Sequence, residues 1–146
     1  MFLVGLVAEP AHAAGIGEVD LDVGSSSSGF ASPYAYRVGM RVGERIENLV
    51  VIDITPEVGV RVDLSNLDWT AIALMGGARV HASLPVSPGV YGNVGFHPAN
   101  QATWFAYGLG LDGRVDRALS FGGRVGFEHL GDFRFMTLGV HLTVRR

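Results

Sequence analysis

The sequence predicts an all-β protein: an eight-stranded antiparallel up-and-down barrel that crosses a membrane on its strands. Three observations point there. Apolar and polar residues alternate along eight successive runs, the period at which a strand sends its side chains to opposite faces. The 146 residues are 48% hydrophobic with a mean hydropathy of +0.29, yet no run of 18 or more uncharged apolar residues supplies a spanning helix. Glycine is abundant, at 21 residues, and it shares one face of the runs with the charges.

Composition excludes several classes. The length suits one domain. Eleven basic residues, all arginine, stand against fourteen acids for a net charge of −3, which removes the electrostatic footprint of a general nucleic-acid binder. High apolar content with low net charge argues against disorder. Cysteine is absent, and an exported barrel needs none.

Residues 1–13 read as the end of a secretory signal peptide. Phe2 to Ala8 is a short apolar run, and Ala11-His12-Ala13 before Ala14 has the small-x-small pattern of a cleavage site. No basic segment precedes the run, so an apolar first strand is the alternative. The barrel domain is expected over residues 14–146.

The first run sets Val19, Leu21 and Val23 against Asp20 and Asp22, and the Gly-Ser-rich stretch from Gly24 to Gly29 reads as a loop. The second places Tyr34, Tyr36, Val38, Met40 and Val42 opposite Ala35, Arg37, Gly39, Arg41 and Gly43. The third, from Val50 to Leu64, sets a valine and isoleucine face against Asp53, Thr55, Glu57, Gly59, Arg61 and Asp63. In the fourth, Ile72, Leu74, Ala78, Val80 and Leu84 oppose Met75, Gly77, Arg79, His81 and Ser83. The fifth sets Val90, Val94 and Phe96 against Tyr91, Asn93, Gly95 and His97. The sixth sets Phe105, Tyr107, Leu109 and Leu111 against Ala106, Gly108 and Gly110. In the seventh, Leu119, Phe121, Val125 and Phe127 oppose Ser120, Arg124 and Glu128. The eighth sets Met136, Leu138, Val140, Leu142 and Val144 against Thr137, Gly139, His141 and Thr143. Turn chemistry separates the runs at Ser65-Asn66, Pro85 to Gly89, Asp112-Gly113 and Gly131-Asp132. An even number of antiparallel strands with short turns closes into a barrel, and closure removes the free edges a bilayer cannot satisfy.

Alternation does not say which face points outward. A soluble carrier of the lipocalin type keeps its apolar face inside, whereas a membrane barrel turns it to lipid. The polar face here is crowded with glycine and alanine, as the narrow interior of an eight-stranded barrel requires. Its charges balance: Arg37, Arg41, Arg61, Arg79 and Arg124 accompany Asp53, Glu57, Asp63 and Glu128, with Asp20, Asp22, Asp112 and Arg145 beside them. Guanidinium and carboxylate groups pair in two-point contacts where water is scarce. Aromatic residues gather toward strand ends, at Tyr34, Tyr36, Trp69, Trp104, Phe105, Tyr107, Phe127, Phe133 and Phe135, as interfacial girdles do. These features favour the lipid-facing arrangement.

The run Tyr107-Gly108-Leu109-Gly110-Leu111-Asp112, then Leu119 to His129 (LSFGGRVGFEH), then Met136 to Val144 (MTLGVHLTV), resembles the C-terminal half of small bacterial outer-membrane barrels of the OmpA/OmpX and opacity-like type. Pro56 to Arg61 and Gly76 to Val80 fit the middle strands of the same pattern. The resemblance covers most of residues 14–146, on degenerate motifs. It implies a location in the outer membrane, lipid as surroundings and the barrel-insertion machinery as a partner. The sequence departs from the pattern at Arg145-Arg146, where such barrels carry an aromatic residue that the machinery reads.

Few residues could carry catalysis. His81 and Ser83 share a face as base and nucleophile would, and the spacing is similar to the His-x-Ser pair of barrel-shaped lipid A deacylases. Between Asp68 and Asp112 the sequence offers no acid to orient the histidine, so a neighbouring strand would have to supply one. The bland reading is a hydrogen-bonded lumen histidine. His81, His97 and His141 fall on the inner face, but nothing in their spacing demands a metal site. Asp20 with Asp22, and Asp53 with Glu57, read as partners of lumen arginines. Gly76-Gly77 and Gly122-Gly123 lie within strands and mark bends or close packing; no nucleotide-binding loop is present.

The sequence therefore predicts a monomeric membrane barrel with a structural or envelope-contact role, no open pore, no cofactor and no metal. A soluble secreted barrel holding a small apolar ligand is the first alternative. An esterase using His81 and Ser83 is the second.

Overall fold

The computed structural model describes residues 13–26, 34–49, 51–64 and 72–146. It contains eight strands: β1 (Ala13–Ser26), β2 (Tyr34–Leu49), β3 (Ile52–Asp63), β4 (Ile72–Ala82), β5 (Val86–His97), β6 (Ala102–Arg114), β7 (Leu119–Leu130) and β8 (Phe133–Arg145). Each pairs antiparallel with the next, and β8 returns to β1 to close a barrel. The closing ladder runs from Ile16 opposite Arg145 to Ser26 opposite Phe135. Among the described residues no helix is long and apolar enough to cross a membrane.

Strand alternation becomes an inside and an outside. Val58, Leu109 and Leu138 are exposed at 61%, 61% and 64% on the outer face. Arg41, Arg61, Arg124 and Glu128 are buried on the inner one. A soluble carrier requires the opposite polarity, so the first alternative loses its apolar lumen.

Several strands run further than the sequence suggests. β1 continues through Gly24, Ser25 and Ser26, because their backbones pair with β2 and β8. β2 extends to Leu49 across a bulge between Ile46 and Leu49, and Arg45, just before the bulge, keeps the inward face of Arg41. β5 begins at Val86, so the stretch to Gly89 is strand, paired opposite Gly110 to Gly113. Pro88, which has no backbone N–H to give, is tolerated there because the ladder to β4 ends at Gly89. Asp112-Gly113 belongs to β6, not to a turn. The turn lies at 115–118, where Asp116 Oδ1 accepts the backbone N–H groups of Ala118 and Leu119, each at 2.7 Å. That local bond replaces the ladder at the hairpin tip. Gly131 turns the β7–β8 hairpin at φ +56°, a conformation that costs other residues strain.

The segment 1–12 lies outside the described residues, and with it all of the expected leader except Ala13. Trp69 also lies outside them, as do the side chains of Tyr34 and Phe133.

Candidate functional site

The interior of the barrel is filled by an ion-pair lattice in three tiers. The middle tier hangs on β1, whose alternation sends Glu18, Asp20 and Asp22 inward. Arg79 from β4 donates to Glu18 Oε2 at 2.6 Å, and Thr143 from β8 donates to the same oxygen at 2.9 Å. Arg41 from β2 donates to Glu57 Oε1 at 2.7 Å, and its Nε lies 3.0 Å from Asp20. Arg79 Nε completes the link to Glu57 at 2.9 Å. Arg124 from β7 forks onto Asp22, with Nε at 2.9 Å and Nη2 at 2.5 Å, and reaches Asp20 at 2.8 Å.

Toward the loops joining β1 to β2 and β7 to β8, Glu128 receives Arg61 at 2.6 and 3.2 Å and Arg37 at 3.1 Å. Asp63 stands 4.0 Å from Arg37 at the more open rim. Two aromatic rings cap this tier from inside. Arg61 lies over the Trp104 ring, 3.8 Å from its centroid, and Arg37 over Phe135 at 5.3 Å. Trp104 is therefore not an interfacial aromatic: it is 4% exposed, within the lumen. It shares the parity of Ala106 on β6, so its strand directs it inward, and Gly95 on β5 leaves the space its indole occupies. Phe135 is turned inward in the same way. Tyr36, Tyr107 and Phe127 are exposed on the outer face.

Toward the end where β1 begins and β8 finishes, Arg45 pairs with Asp53, and Ser83 Oγ donates to Asp53 Oδ1 at 2.8 Å. His81 and His141 both turn to Asp112, His81 Nδ1 at 3.3 Å. Thr55 Oγ1 lies 3.2 Å from His81 Nε2.

These contacts revise the catalytic reading. The carboxylate that orients His81 exists, on β6. Ser83, however, lies beyond the end of β4, exposed, with its hydroxyl committed to Asp53. The hydroxyl beside His81 is that of Thr55, which is 0% exposed and so meets no substrate from outside. The gap among Arg79, His81, Tyr91, Asp112, Arg124 and His141 admits the centre of a water over about 20 Å³, room for one molecule. His97 sits at the opposite end of β5 from this cluster. No three His, Asp or Glu side chains are placed to hold a metal ion among the described residues.

Six arginines and six carboxylates are buried among the described residues. Isolated, each would be prohibitive to desolvate; arranged with both signs alternating across the lumen, they neutralise one another. Glu18 and Arg45 belong to the lattice, beyond the lumen charges expected from the sequence. The signal was present: Glu18 precedes Asp20 by two residues, and Arg45 follows Arg41 by four, on the same faces.

No protein-family model and no curated protein sequence matches the chain. Among solved structures, the chain is similar to Neisserial surface protein A at 14% identity, covering 93% of this chain and 99% of that one, with a TM-score of 0.57. Ail, the attachment invasion locus protein of Yersinia pestis, solved with the heparin analogue sucrose octasulfate, is similar at 10% identity, 93% and 99% coverage and a TM-score of 0.56. A de novo designed transmembrane β-barrel is similar at 16% identity, 90% and 95% coverage and a TM-score of 0.55. At such identities what is shared is the fold, that of a small eight-stranded transmembrane β-barrel.

Proposed function

We propose that the protein is a bacterial outer-membrane barrel that acts as a closed, lipid-anchored body with a structural or envelope-contact role. One observation carries this reading: the polarity of the wall is inverted, with valine and leucine outside and a neutralised arginine–carboxylate lattice inside. In water that exterior would drive association; in lipid it is the solvated face. The likeness to Neisserial surface protein A and Ail, both small outer-membrane barrels, supports the location. The lattice occupies the path a porin leaves open, and eight strands enclose a lumen just wide enough for side chains. A monomer delivered by the barrel-insertion machinery fits a surface that needs lipid alone to cover it.

The test is extraction and electrophoresis. The protein should require detergent for solubility, migrate faster unheated than boiled in SDS gels, and give no steady conductance in planar bilayers. A purified chain that stays monomeric and folded without detergent sinks the proposal.

A further inference from the structure

On the outer face, beside the β7–β8 turn, Phe105, His129 and Arg134 stand in one cross-strand row, with Tyr107, Phe127 and Met136 in the row beneath. The rings of Phe105 and His129 stack with centroids 4.5 Å apart and planes 2° apart, and Tyr107 approaches the same imidazole at 5.8 Å. The Arg134 guanidinium lies over the Phe127 ring, 4.1 Å from its centroid. The charge of this cluster lacks a counterpart among the described residues: Arg134 is exposed on the apolar exterior and joins no ion pair there. His129 contributes its ring face, its Nε2 being closed off from the surface.

Height decides what meets them. From Leu119 to His129, β7 climbs roughly 25 Å at ~3.3 Å per residue and a tilt of ~40°, the height of the apolar band on such barrels. The row thus stands where acyl chains give way to headgroups. From Phe105 a shallow groove crosses β5 and β4 on the same face, bounded by Leu74, Val94 and Phe96 and floored by Gly76. Because strands tilt, the row that starts beside the turn on β8 reaches β4 near the middle of that strand, deeper in the band.

We propose that Arg134 seats the phosphate of a membrane lipid, one of whose acyl chains descends into the groove over Gly76. The planar guanidinium, held over the Phe127 ring, matches two phosphate oxygens at once. This site rests on the membrane reading above.

The experiment is native mass spectrometry of the full chain released from detergent micelles, titrated with phosphatidic acid or with diacylglycerol of the same chains, which lacks the phosphate. Phosphatidic acid should be retained about tenfold more tightly. Arg134→Gln should abolish that preference. Gly76→Ile should weaken both lipids, since a Cβ at Gly76 meets nothing nearer than 3.7 Å and the added bulk fills the groove without strain. Equimolar inorganic phosphate should leave the lipid in place. Equal retention of the two lipids would overturn the site, as would undiminished preference in the Arg134→Gln variant, or displacement by free phosphate. Each variant is first shown to retain heat-modifiable migration. A barrel that inserts but shows no phosphate preference ends this inference alone. One that needs no detergent and binds neither lipid ends the membrane reading.

Discussion

Glu18 shows how much one side chain carries here. Its carboxylate faces Arg79 at 2.6 Å, Arg124 at 3.8 Å and Arg41 at 4.0 Å, with none of its side-chain surface exposed. Glu18→Gln keeps the shape and removes the charge, leaving three guanidinium groups without one of their counter-ions. Removing one partner of a buried ionic cluster costs about 3–5 kcal/mol. Urea unfolding of the micelle-bound barrel should show a loss of that order; a loss under about 1 kcal/mol, the scale of an exposed pair, would mean that the lumen is wetter than its geometry implies. Trp104 adds a second residue-scale lesson. Its indole reads as interfacial by type and by its place near a strand end, but parity outranks both: Ala106, two residues on, faces inward, so Trp104 must too.

Individual strands were legible wherever alternation was unbroken. β3 and β7 emerge from their valine, leucine and arginine patterns with ends correct to within two residues, and β8 begins three residues before its alternation, at Phe133. Strand ends blurred where turn-type residues sit inside ladders. Gly24 and Ser25 pair with both neighbours and Ser26 with β8, and Asp112-Gly113 looks like a hairpin tip while lying within β6. Asp112 points inward to two histidines, a partnership that no spacing in the sequence records because it joins β4, β6 and β8 across the lumen. The true tip depends on Asp116. Asp116→Ala removes two backbone caps at an exposed turn and is expected to cost about 0.5–1.5 kcal/mol, read in the same unfolding assay. An unchanged midpoint would show that the tip contributes nothing to the hairpin.

For the molecule as a whole, cohesion divides into a ladder of backbone bonds and a lattice of charges shielded from solvent. Exposed charge pairs weaken at high ionic strength, whereas buried ones are screened far less. The unfolding midpoint should therefore change little between about 0.05 M and about 1 M sodium chloride. A steep fall would place the arginines in contact with bulk water. The global inference of a barrel with inverted polarity was available from the sequence because charge balance, small residues and alternation agreed on the same face. Which arginine meets which acid was not, since Arg37 and Glu128, or Arg124 and Asp22, come together only once the cylinder is curved.

The seam between β1 and β8 has a biosynthetic consequence. Until the final ribbon arrives, the opening ribbon keeps one row of amide groups unanswered, an arrangement that hydrocarbon does not tolerate. Asp22 would likewise await Arg124, which is translated more than a hundred residues later. No intermediate made of the earlier strands alone satisfies either need, so the cylinder can shut only once the whole polypeptide has been made.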